Sequence, residues 1–458
     1  MMSFLSGLLE FIKDILSQPA LLIGIMSFVG LIALKSPGHK VLTGTLGPIL
    51  GYIMLSAGAD FIVANLNPLG ALIEKGFHIQ GVVPNNEAIV ASAQKLLGVE
   101  TMSILVLGLV LNLVIARFTK FKYIFLTGHH SFFMACLLSA VLGTSGMSGA
   151  LLIIVGGFLL GAWSAISPAI GQRYTLKVTD GDEVAMGHFG SLGYYLAAWV
   201  GKRVGKPEDS TEKINIPEKW NFLRNTTIST ALTMVVFYLI AAFAAGPEFT
   251  STLSDGMSPY LFAIMTGLKF AIGVTIVYSG VRMILADLIP AFQGIATRII
   301  PNAIPAVDCA VFFTYAQTAV IIGFVCSFIG GVIGMLILGV SGGVLIIPGL
   351  VAHFFCGATA GIYGNATGGR KGAIIGSFVN GLALSFLPAL LLPVLGSLGF
   401  SNTTFGDIDF AVLGITLGQA GSTGIYVIVA ILLIILLIPN FIKTKSITLN
   451  NYEDTKGD

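Results

Sequence analysis

Three polar residues of this chain stand at places where glycine or proline marks a break in apolar sequence. They are His129 in LTGHHSFF, His188 in GDEVAMGHFGSLG and Asp308 in IPNAIPAVDCAVFF. An imidazole can donate one hydrogen bond and accept another, and a carboxylate accepts several. Gathered around one cavity, such groups suit a small solute that carries hydroxyls. Glu87 in VPNNEAIVAS is a fourth candidate, because Pro84-x-x-Glu87 repeats as Pro305-x-x-Asp308 at an offset of 221. An acid three residues after a proline is expected in the first turn of a helix, beside its free N–H groups.

Other residue types point to little chemistry. His130 reads either as an interfacial side chain or as a neighbour of the site, and His353 weakly mirrors the His129 segment. The four cysteines, Cys136, Cys309, Cys326 and Cys356, lack metal or redox spacing and read as buried, inert thiols. GNATGGRKGA has glycines and cations but not phosphate-loop spacing, so no nucleotide engine is expected. No cofactor and no resident metal are expected.

The elements that must position these groups are membrane helices. The chain is 55% hydrophobic and 10% charged, against about 25% charged in soluble domains. Its mean hydropathy is +0.91. Charged and imidazole groups at membrane depth are costly, which marks them as pathway or site residues. The net charge of +2 implies no nucleic-acid partner. No basic start or small-residue cleavage site suggests a removed leader.

Residues 51–68 (GYIMLSAGADFIVANLNP) recur as 273–290 (GVTIVYSGVRMILADLIP) at an offset of 222. Gly51 meets Gly273, Gly58 meets Gly280, and Pro68 meets Pro290. Half-chain recurrence of an apolar unit is a mark of transporters built from repeats. Asp60 and Arg282 hold equivalent positions and could pair, while Asn65 and Asp287 are expected to cap or break their spans before the prolines.

The expected fold class is therefore an all-α polytopic membrane protein of about eleven spans. These lie near 19–34, 43–66, 99–116, 123–142, 149–166, 226–245, 260–290, 308–338, 343–362, 372–395 and 410–440. Alternating loops place 20 of the 24 Lys and Arg on one side, which predicts the N-terminus outside and the C-terminus cytoplasmic. With that topology the two repeat copies are inverted. The expected units are a first half over 1–200, a solvated cytoplasmic linker over 201–224, a second half over 225–442 and a tail over 443–458.

At LTGHH, VTDGDEVAMGHFG and VRMILADLIPAFQGIATRIIPNAIPAVDCA the chain resembles the ascorbate-specific IIC permeases of the bacterial phosphotransferase system, within the ascorbate–galactitol superfamily. The resemblance runs along nearly the whole chain. It implies a homodimer in the bacterial inner membrane, each protomer having a V-shaped scaffold domain and a core domain that moves like an elevator. It implies phosphorylation by a separate IIB subunit charged by IIA, with no phosphoryl-carrying residue here. It assigns His129, His188 and Asp308 to the sugar site.

The chain also departs from that pattern. Phe133 and Phe189 stand where the family has glutamine, and Asn86-Glu87 replaces Thr-Tyr. Loss of amide donors changes which hydroxyls a site can recognise, so these residues join the site and the solute is either ascorbate or a related sugar or polyol. An ion-coupled secondary transporter is the alternative from another class. A non-transporting scaffold leaves the polar segments unexplained.

Overall fold

The computed structural model describes residues 15, 18–77, 82–84, 86–181, 184–214, 226–298, 300–395 and 403–441. The expected tail over 443–458 lies outside the described residues. Among the described residues the fold is all-α apart from five short strands. The order is α1 (Pro19–Ala33), α2 (Gly38–Phe77), β1 (Val83–Pro84), α3 (Asn86–Phe118), β2 (Tyr123–Phe125), α4 (Gly128–Thr144), α5 (Gly149–Val178), β3 (Ala185–Met186) and α6 (Ser191–Val204). Then come α7 (Thr226–Ala245), α8 (Pro247–Leu253), α9 (Pro259–Arg298), β4 (Ile304–Val307), a 3-10 turn (Cys309–Thr314), α10 (Gln317–Val340), α11 (Leu350–Leu395), β5 (Thr403–Thr404) and α12 (Ile408–Phe441). Among the described residues six helices are long and apolar enough to cross a membrane, or seven if Met234–Ala245 and Pro247–Leu253, bent by 120°, make one span. This is a multi-pass membrane protein. The expected span over 123–142 divides into β2 and α4, because Gly128 starts the helix only after an extended segment.

The two repeat segments are the middles of α2 and α9, each 40 residues long. They pack along one another, with α1 and α7 beside them. A side chain at Gly273 would meet Ile62 and the Gly58 carbonyl, so the repeated glycines permit close helix approach. Neither helix breaks at its proline, contrary to expectation. Asn65 does not cap an end; its Nδ2 donates to the Phe61 carbonyl 2.7 Å away, within the continuing helix. Asp287 lies against Gly44 and Gly47 of α2. Asp60 and Arg282 are both exposed, and among the described residues no ion pair joins them.

Helices α3–α6 and α10–α12 form a second packing group, in which α11 lies against α10, α6 and α12, and α3 lies against α4 and α5. The spans expected at 343–362 and 372–395 are the two arms of α11, which kinks at Gly369. Gly369 has φ +56°, and a side chain there would strike the backbone carbonyls of Lys206 and Asp209.

The start of the expected linker is mostly exposed, as a solvated segment should be, but it is anchored at Thr211. Thr211 is buried, with its N–H donating to Asn365 Oδ1 at 2.8 Å. Glu212 accepts the N–H groups of Thr318 and Ala319 at the start of α10. An acid at a helix N-terminus meets unpaired N–H groups and the positive end of the helix dipole.

The strands tie the halves of the chain together. In the first sheet the order is β2-β4-β3, so second-half β4 lies between two first-half strands. In the second, β1 pairs with β5, and Val82 bridges Ile346. All these pairings are parallel. The central strand of each arrangement is therefore supplied by the opposite half.

Candidate functional site

Each strand hands the chain to a helical segment, and the polar residues lie at these junctions. Asn86 follows β1, His129 follows β2, His188 follows β3, Asp308 follows β4 and Asp407 follows β5. The arrangement depends on the close approach of β3 to β4. Gly187 N–H donates to the Val307 carbonyl at 2.7 Å, and any side chain at Gly187 would collide with the Ala306 carbonyl.

His129, His188 and Asp308 come together as expected. His129 Nε2 lies 3.5 Å from Asp308 Oδ2, and the His129 side chain is 34% exposed, the open edge of the group. Its Nδ1 lies 2.7 Å from the Tyr52 hydroxyl of α2. If that hydroxyl donates, the ring proton sits on Nε2 and faces Asp308. Asp308 does not enter a long α-helix directly. It caps the 3-10 turn, accepting the Ala310 N–H at 3.0 Å, because α10 begins only at Gln317.

His188 Nδ1 accepts the Gly190 N–H at 3.0 Å and lies 2.8 Å from the Tyr194 hydroxyl. These contacts leave Nε2 to carry the ring proton. A ring nitrogen of His188, an Asp308 oxygen and the Cys309 sulfur lie within 4.8 Å of one another, as do His188, Cys356 and Asp407. Such donor sets could hold a soft divalent cation. What joins them in the structure is hydrogen bonding, with the Cys356 thiol donating to Asp407 Oδ1 at 2.7 Å. Cys356 is buried as expected, and its thiol belongs to this hydrogen-bonded group, which linear spacing could not reveal.

Asn86 is at the site, but its amide serves the 406–407 turn. Its Nδ2 donates to Asp407 Oδ2 at 2.6 Å, and its Oδ1 accepts the Gly406 N–H at 2.8 Å. Glu87 follows in the first turn of α3, and its side chain lies outside the described residues. Phe133 presents an edge-on contact to His129, with centroids 5.8 Å apart at 74°. Phe189 is fully buried and stacks on Phe125 at 4.5 Å. Its N–H donates to His130 Nδ1 at 3.3 Å.

His130 is not interfacial. It is buried with its ring centroid 3.7 Å from that of His188 and stacked over Phe410. His353 lies elsewhere, buried and bonded through Nδ1 to the Ser327 hydroxyl at 2.9 Å.

Sequence reasoning passed over Tyr52, Asp407 and Asp409. Asp409 is fully buried, and its carboxylate accepts the Ser191 hydroxyl at 2.8 Å, the Leu192 N–H at 2.9 Å and the Trp163 Nε1–H at 3.3 Å. Its own N–H donates to the Phe189 carbonyl at 2.9 Å. The signal was present: GDIDF, like AVDC, puts an acid at the head of an apolar run.

The chain has known relatives. It is 29% identical over 423 residues to a protein of Mycoplasma pneumoniae named "Ascorbate-specific PTS system EIIC component". That match covers 80% of this chain and 63% of the relative, so the chain spans less than two thirds of the relative's length. Residues 14–409 match the EIIC-GAT family, described as "PTS system sugar-specific permease component". With the match covering both halves and all five junctions of the site, the chain belongs to this family of sugar-specific permease components of the phosphotransferase system.

Proposed function

We propose that this protein is the membrane permease, the IIC component, of a phosphoenolpyruvate-dependent phosphotransferase system. It takes a small polyhydroxylated solute, L-ascorbate or a related sugar or polyol, across the bacterial inner membrane. A separate IIB subunit, charged by IIA, phosphorylates the solute. The carrying observation is the group of His129, His188 and Asp308 at strand–helix junctions inside a bundle of apolar helices, in a chain of this family. Imidazole and carboxylate groups inside a membrane bundle are costly and mark a functional site by default. Phe133, edge-on to His129, offers an apolar face to a sugar ring.

The proposal includes inverted repeats. Equal lengths of α2 and α9, and the exchange of central strands between halves, support a pseudo-twofold relation. It also includes an elevator-like movement of the α3–α6 and α10–α12 group against α1, α2, α7 and α9, working as a homodimer with a cytoplasmic C-terminus. The division into two packing groups supports this movement. Inside-out and right-side-out vesicles with purified IIA, IIB, the general phosphocarrier proteins that charge IIA, and phosphoenolpyruvate test it directly. Solute phosphate should accumulate only when IIB is present. Ion-driven accumulation of free solute without IIB would refute the proposal.

A further inference from the structure

Asp407 places a second carboxylate in the site. Asp308 and Asp407 each have an oxygen within 4.8 Å of a His188 ring nitrogen. Asp407 is buried, and its partners are the neutral Asn86 amide and the Cys356 thiol. Among the described residues, the hydrogen-bond and ion-pair partners of His129, His188, Asp308 and Asp407 include no lysine or arginine. The charge of these two carboxylates is therefore not offset by any fixed cation of their own.

We infer that Asp407 is a specificity-determining residue that excludes anionic solutes, and that the native solute is an uncharged polyol or sugar. The inference rests on the permease reading and narrows its substrate class. A solute hydroxyl bound to the Nε2–H of His188 finds carboxylate acceptors nearby. An anion bound at that nitrogen sits within about 10 Å of each carboxylate. At that range, with the intermediate dielectric of a partly buried site, one carboxylate weakens anion binding by about 15-fold. Asp407 does this through its field, without needing to touch the solute.

The test is equilibrium binding to the purified full-length permease in nanodiscs, with L-ascorbate, galactitol, D-mannitol and D-xylose as probes. Asp407→Asn should bind ascorbate at least 10-fold more tightly than the unaltered protein. The paired change Asn86→Asp with Asp407→Asn keeps a carboxylate in the same hydrogen-bonded pair, so it should exclude ascorbate as the unaltered protein does. It also separates charge from misfolding. Ascorbate bound equally well, or better, by the unaltered protein than by Asp407→Asn overturns the inference. That outcome leaves the permease reading standing if IIB-dependent phosphorylation of ascorbate persists. Absence of IIB-dependent phosphorylation of every probe defeats the permease reading itself.

Discussion

Replacing Asp409 by alanine removes the acceptor of three donors at once. The carboxylate receives the Ser191 hydroxyl and the Leu192 N–H at the start of α6, and the Trp163 indole N–H from α5. It acts as an N-cap supplied by another helix, with the charge where the helix dipole favours it. In membrane proteins a side-chain hydrogen bond contributes about 0.6–2 kcal/mol. Three such losses at about 1 kcal/mol each give a destabilisation near 3 kcal/mol. Asp409→Asn should lose about half of that, since one oxygen still accepts while the new NH2 group faces donors. The backbone bond from Asp409 N–H to Phe189 O ties this network to the residue beside His188, so solute affinity should fall together with stability. Reversible unfolding in mixed micelles, followed by tryptophan fluorescence, measures the first effect. Titration with the best-bound solute measures the second. An alanine variant within about 0.5 kcal/mol of the unaltered protein, binding solute normally, would refute the claim that this carboxylate holds α6 in place.

Other changes have distinct expected outcomes. Tyr52→Phe removes the hydroxyl that joins α2 to His129; the loss of about 0.5–1.5 kcal/mol should weaken solute binding roughly 2- to 10-fold, read by calorimetry. Gly187→Ala forces a methyl group against the Ala306 carbonyl and should cost about 1–3 kcal/mol by overpacking, with solute binding lost before the helical signal in circular dichroism. Gly369→Ala puts a side chain at φ +56° against the carbonyls of Lys206 and Asp209; it should lower the unfolding midpoint while binding per folded molecule is kept. Phe133→Gln places an amide beside His129, and a shift in the ranking of ascorbate against neutral polyols in a binding screen is the expected result.

Much of the site was legible because its residues break the apolar pattern. His129, His188 and Asp308 stand out beside glycine or proline, and a buried polar group has few bland reasons to exist in a membrane. The strands that align them were not legible. Segments such as Val83–Pro84 and Ala185–Met186 are two residues long, too short to show a period of two and too apolar to stand out from helix. Their pairings also join distant parts of the chain, which local pattern cannot report. Asn65 and Asp287 misled because a polar residue before proline suggests a helix end, whereas the side chain can satisfy the backbone and let the helix run on. His130 misled for the opposite reason: its partners, His188 and Phe410, come from other junctions.

The exchange of central strands also constrains the order of biosynthesis. Asn86 and its partner Asp407 are 321 positions apart. At a synthesis rate of 5–20 residues per second, the wait between them is roughly 15–65 s. Through that interval the nascent chain holds β1 without β5, and until residues 304–307 are made it holds β2 and β3 without the strand that joins them. The amide of Asn86 and the rings of His129 and His188 must meanwhile find water, lipid headgroups or insertion machinery as temporary partners. A ribosome stalled near residue 214 would leave a membrane-inserted fragment with no assembled site. Two halves made from separate messages should recover one only when the second reaches the same membrane before the first is degraded.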